Sequence, residues 1–193
     1  MTRDRRPISM TRWLERLVIV AASLAIAIGV IALLSGGLLA GHDSPGISGA
    51  DSGPGVQYRD QGDAQLRPGE PAPVYDSDPP TSGPHVPSPI EANGAQLTND
   101  QLLQGLEVGD VVLMYGTKHP PPGLSGLAAS LAPPFTPALA ASGGAVVLAH
   151  RPGTTGVIAL AWTHMLHVAS ADDPSLRPFV QFWLGRGAPR TLH

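Results

Sequence analysis

The chain has 193 residues, a formal net charge of −3 and no cysteine. Without thiols there is no disulfide scaffold, thiolate metal site, cysteine nucleophile or lipidated-cysteine anchor. The balance of 12 basic against 15 acidic residues lacks the clustered positive face of a nucleic-acid-binding protein, so no nucleic-acid partner is expected.

Residues 1–16 read as a cytoplasmic basic tail. From Leu17 to Ala40 no charge occurs in 24 residues, and a helix of that length would span about 36 Å, enough to cross a bilayer. Five of the 12 basic residues precede this run, against two of the 15 acidic ones, which puts the N-terminus in the cytoplasm and the remainder outside. A transmembrane helix at 17–40, contacting the lipid bilayer, is therefore expected. A cleaved signal peptide is the alternative, but its apolar core normally runs about 7–15 residues, and the nearest small-residue site, Ser48-Gly49-Ala50, lies well beyond this run. Residues 41–73, rich in Gly, Pro, Ser and Asp, predict a disordered linker, because they bury too little to offset ordering entropy.

Residues 74–193 are left to form an extracytoplasmic domain. Thr98 predicts the N-cap of a helix through Asn99-Asp-Gln-Leu-Leu-Gln-Gly-Leu, ended by Gly105 or Gly109. Gly109 to Gly116 reads as a buried strand. Residues 124–132 and the Phe135-Thr-Pro-Ala-Leu segment read as one or two small helices broken by proline. Two further strands, Gly144–Arg151 and Gly156–Ala169, flank a Pro/Gly turn cluster and predict a hairpin. A last helix follows Asp173-Pro174, with Leu176, Phe179, Val180, Trp183 and Leu184 at helical spacing. The expected fold class is α+β: a single transmembrane helix, a flexible Pro/Gly linker, and a small, mostly antiparallel sheet with packed helices.

One segment stands apart. Pro79, Pro80, Thr81, Ser82, Gly83, Pro84 and His85 make a stiff loop that presents a histidine. This string resembles the hallmark of a family of bacterial membrane-anchored extracytoplasmic proteins grouped under a domain of unknown function. A second block of that family, His-x-Leu-Glu-His-Gly and then a strand ending in Tyr, corresponds to Gln104 through Gly109 and Asp110 through Tyr115. A third corresponds to Ala161-Trp162 and to the aromatic helix residues Phe179 and Trp183. The resemblance spans roughly residues 74–190, supports the architecture and location, and implies no established activity.

In that family the loop histidine facing two more from a helix end would make a natural transition-metal site. Here Gln104 and Val108 replace both helix histidines, while Glu107 remains. Other donors are His164, Met165 and His167, along with Met114, His119 and His150. In a strand 165 and 167 share one face, and 164 lies on the other. Histidine and methionine ligands would suit copper in an extracytoplasmic compartment. The metal reading thus names His85, Glu107, His164, Met165 and His167, and requires them to converge.

Catalytic signatures are missing. Gly123-Leu-Ser125-Gly-Leu fails the nucleophile-elbow pattern at its last position, and Asp172-Asp173 read as helix-start charges. The first expectation is a non-enzymatic module of the cell envelope that binds or assembles a protein partner through the 79–85 loop. The alternative is an extracytoplasmic copper-binding protein.

Overall fold

Helix α1, Asn99–Val108, begins where the sequence predicts, in a computed structural model that describes residues 53–189. Thr98 Oγ1 accepts the Gln101 N–H at 3.2 Å and Gln101 Oε1 accepts the Thr98 N–H at 3.1 Å, a reciprocal cap that satisfies two otherwise orphaned donors. Gly109 closes the helix at φ 116°, donating to the Gly105 and Leu106 carbonyls. A side chain there would strain the left-handed backbone and bring a Cβ within 2.9 Å of the Gly185 carbonyl carbon. Leu102, Leu103 and Leu106 form the buried stripe of α1.

Five strands follow the order β1-β5-β4-β2-β3: β1 Val56–Gln57, β2 Val111–Tyr115, β3 Val146–His150, β4 Val157–Ala161 and β5 His164–Val168. Side chains alternate across the sheet. Val111, Leu113, Tyr115, Val157 and Ala159 face α2, Leu124–Leu131, and α4, Leu176–Trp183. Val112, Met114, Val147, Ile158 and Leu160 share the opposite core with the leucines of α1 and with Ala140 of α3, Pro137–Ala141. Helices on both faces explain why β2 and β4 are apolar at every position, since neither has a wet side. Helix α4 buries Leu176, Phe179, Val180 and Trp183, each contributing roughly 1.5–3 kcal/mol of transfer free energy.

The mostly antiparallel architecture is corrected here: the sheet is mixed. Strands β2 and β3 pair in parallel, Val111 opposite Val146 through Tyr115 opposite His150. Parallel neighbours need a crossover, which α2 and α3 supply. The expected hairpin between residues 144–151 and 156–169 does not form, because β4 pairs antiparallel with the other side of β2. That placement sandwiches β2 between two strands and buries it completely. The expected single strand 156–169 is two strands, β4 and β5, folded at Trp162-Thr163. Thr163 takes φ 60°, a conformation that a β-branched residue rarely holds.

The flexible-linker part of the expected fold is likewise corrected for the described residues 53–73. Val56 and Gln57 pair with Met165 and His164, and Tyr58 N–H donates to the Thr163 carbonyl at 2.8 Å. Farther on, Leu66 N–H donates to the His85 carbonyl at 2.8 Å, and His85 N–H to that of Ala64 at 3.1 Å. These contacts run through the backbone, so an aliphatic-poor sequence does not announce them. The predicted transmembrane helix at 17–40 lies outside the described residues. Among the described residues no helix is long and apolar enough to cross a membrane.

Candidate functional site

The 79–85 loop faces inward. Pro79 through Gly83 and His85 are buried and Pro84 is half-buried. Ser82 Oγ donates to the Arg59 carbonyl at 3.1 Å and accepts the Gln61 N–H at 3.0 Å. Gly83, at φ 130°, lies under the Tyr75 ring, where a Cβ would come within 2.9 Å of it. The Tyr75 hydroxyl donates to the Pro84 carbonyl at 2.9 Å, closing the loop on itself.

His85 is held from both sides. Its Nδ1 lies 2.9 Å from the Gly83 carbonyl, which only accepts, so Nδ1 carries a proton. Nε2 lies 3.1 Å from Glu107 Oε2 at the end of α1. A neutral imidazole and a bare carboxylate would then oppose two lone pairs. Both atoms are buried, and among the described residues neither has a regular hydrogen-bond partner. Burial pushes the Glu107 carboxyl up from its ordinary range and nearby Asp63 adds to this, while His85 opposes it.

The remaining metal candidates lie elsewhere. His164 sits on the α4 face of the sheet, its ring centroid 3.9 Å from that of Trp183. Met165 lies on the α1 face, and His167 Nε2 approaches its sulfur at 2.9 Å. Met114 is core, His119 is exposed, and His150 packs 5.9 Å from the Tyr115 ring. The structure thus joins His85 to Glu107 and Met165 to His167, without bringing all five together. Among the described residues no group of three His, Asp or Glu could hold a metal ion.

A groove of about 330 Å³ that the sequence reading passed over opens where the β4–β5 turn meets the end of α4. Trp162, His164, Phe182, Trp183, Arg186 and Asp60 line it. Phe182 meets Trp183 edge-on at 4.8 Å, and the Arg186 guanidinium lies 4.2 Å over the Phe182 ring. Trp162 Nε1 donates to Asp60 Oδ2 at 3.4 Å, and Trp183 Nε1 to the Pro54 carbonyl at 2.8 Å. Burial pushes the His164 pKa down, favouring the neutral ring. Nδ1 faces the Trp162 carbonyl at 3.1 Å and so carries the proton, leaving Nε2 as a buried acceptor with no partner among the described residues. Trp162 and Trp183 were legible as aromatic blocks. Their convergence depends on an unforeseen turn.

The inward-facing loop braces both banks of this groove. On one, the Thr81 carbonyl accepts the N–H of Thr163 at 2.9 Å, holding the turn between Trp162 and His164. On the other, His85 meets Glu107, whose own carbonyl accepts the Ala188 N–H at 2.8 Å. Gly185 N–H donates to Gly109 at 2.8 Å, so the segment carrying Arg186 is fastened to the end of α1. Gly187 is required at this join, since a Cβ would run into the Glu107 carbonyl.

No curated protein and no solved structure matches the chain. Residues 71–191, more than half of its length, match the family model described as Protein of unknown function (DUF3105), and the chain belongs to that family.

Proposed function

We propose that the protein is a non-enzymatic binding module of the cell envelope that takes a protein partner in the groove between the β4–β5 turn and α4. The observation carrying this reading is the bracing of both groove banks by one buried loop. Holding a β-branched residue at φ 60° is costly, and such conformations persist where surrounding contacts fix them, often at functional sites. The aromatic rings offer rigid contact area, Arg186 a cation and His164 Nε2 an unfilled acceptor. An extended segment bearing an apolar side chain and an N–H or O–H donor has the matching chemistry.

A catalytic reading lacks an activated nucleophile in this groove. The Thr163 hydroxyl approaches His164 Nδ1 at 3.0 Å, but it donates to the Trp162 carbonyl at 2.7 Å, and Nδ1 already holds a proton. A location at the outer face of the membrane, with residues 17–40 in the bilayer, is supported by the uncharged run and the charge asymmetry around it.

A photo-crosslinking amino acid at Arg186, compared with one at exposed Lys118, tests the site in cells. One discrete protein adduct is expected from position 186, abolished by Phe182→Ala. Adducts from 118 alone, or adducts indifferent to Phe182, would exclude the groove.

A second reading, copper binding, is favoured by the Met165–His167 contact and by the Tyr58 hydroxyl 3.9 Å from the same sulfur. Copper(I) titration of the wild type and Met165→Leu tests it. Stoichiometric binding lost in the variant would support this pair as the ligands.

A further inference from the structure

On the α1 face, away from the aromatic groove, a cavity of about 190 Å³ opens between the 87–90 segment, α1 and α3. Its walls are largely apolar, with Ile90, Val108 and Ala140 among them, and Ser88 and Gln104 add polar atoms. Among the described residues of the lining Asp110 is the sole ionisable one, with no Lys, Arg or His beside it.

The surroundings of Asp110 are asymmetric. Its Oδ1 accepts the Ala145 N–H at 2.8 Å, tying the end of α1 to the start of β3. Among the described residues Oδ2 has no partner, although the residue is only 1% exposed. Gly105 and Ile90 cover that oxygen: a Cβ at Gly105 would stand 3.5 Å from Oδ2 and only 2.7 Å from Ile90 Cδ1, so a ligand reaches Oδ2 by displacing the end of the Ile90 side chain. A buried carboxylate with half its acceptor capacity unused is unfavourable unless a proton or a cation supplies the missing partner.

We propose that this cavity binds a small organic ammonium ion, whose N–H groups pair with Asp110 Oδ2 while its short alkyl body lies against Ile90, Val108 and Ala140. The acid without a neighbouring base selects a cation over an anion. The apolar walls select an alkylammonium over a hydrated metal ion, which would need further oxygen ligands. Ser88 and Gln104 offer acceptors for the remaining donors. Burial pushes the Asp110 carboxyl up to about 7, against the Ala145 hydrogen bond, so the site changes from neutral to anionic near neutrality.

Saturation-transfer NMR on the full-length chain tests this with n-butylamine as probe and 1-butanol and butyrate as isosteric controls. At pH 8 saturable binding of the amine alone is expected, weakening at least about tenfold at pH 5.5, where the carboxyl is protonated and the amine remains charged. Asp110→Asn, which preserves the Oδ1 acceptor, should lose at least about tenfold in affinity and the pH dependence with it. Ala141→Phe, at the cavity wall, should block binding without touching the acid. Equal binding of butanol and butylamine, no saturable amine binding, or undiminished binding by Asp110→Asn would overturn the proposal, the cavity then holding water only. If Asp110→Asn fails to fold, Ala141→Phe decides: lost binding supports the site, and retained binding refutes it.

Discussion

Thr163 N–H donates to the Thr81 carbonyl at 2.9 Å, joining the tip of the β4–β5 turn to the middle of the Pro-rich loop. The turn is otherwise poorly suited to its residues. Neither Trp162 nor Thr163 belongs to the Gly, Asn or Asp set that favours positive φ in two-residue hairpins. A left-handed conformation costs an ordinary L-residue roughly 1–2 kcal/mol, so the loop contact and the Tyr58 bond on the other side hold it in place.

Substitutions at Thr163 should therefore divide by backbone, not by size. Thr163→Gly removes the steric strain but also the hydroxyl bond to Trp162, so urea denaturation should show a change within about 1 kcal/mol. Thr163→Pro forbids the φ and deletes the donor to Thr81. It should lose about 3 kcal/mol or more, well beyond the glycine variant.

At the other end of the loop, the His85–Glu107 pair predicts an order of variants. Glu107→Gln can present an N–H donor to Nε2 with the ring neutral, and should lose about 1 kcal/mol or less. Glu107→Ala leaves Nε2 buried with nothing to meet it, and should lose about 1–3 kcal/mol. Equal losses for the two variants in thermal or urea unfolding would mean that the contact is not holding the loop.

Much of this architecture can be read from side-chain chemistry, and the rest cannot. Thr98 with Gln101, the apolar run from Val111 to Tyr115 and the spacing of Leu176, Phe179, Val180 and Trp183 specify their elements locally. The partner of β3 is not encoded in β3. Two buried strands separated by a Pro/Gly turn suggest a hairpin, but the turn instead passes over the end of β2, which pairs with both of them. Residues 53–73 are fixed mainly by backbone bonds and glycine contacts, such as Gly55 passing within 3.0 Å of the Met165 carbonyl if it bore a Cβ. The 79–85 string was legible as special, and its stiffness suggested a presented histidine. Its proline and glycine content instead serves dense burial, with His85 turned toward Glu107.

Asp110 predicts a falling pH profile. Its folded pKa of about 7 exceeds the ordinary carboxyl value of about 3.9, so between these values the folded chain holds a proton that the unfolded chain has released. Stability contributed by this group is fully present below about pH 4, declines by up to about 1.4 kcal/mol per pH unit, and levels off above about pH 7. Asp110→Asn removes this term. Urea unfolding at pH 5 and pH 7 should show the variant gaining on the wild type as pH rises, and a constant difference would show that the carboxyl does not titrate there.

His164 gives the opposite slope. Its pKa is pushed below the ordinary histidine value, so on acidification the unfolded chain takes up a proton that the folded chain resists. Its contribution is present above about pH 6.5 and is lost as pH falls below it. His164→Phe keeps an aromatic ring against Trp183 and removes the unpartnered Nε2, at the loss of the bond to the Trp162 carbonyl, which still accepts from Thr163. Stability near pH 7 should change by about 1 kcal/mol or less, and the acid-side decline from this residue should disappear. If the groove reading is right, the same variant loses crosslinking from position 186 although it is folded. A variant that keeps both its fold and its adduct would show that Nε2 is not an acceptor for the partner.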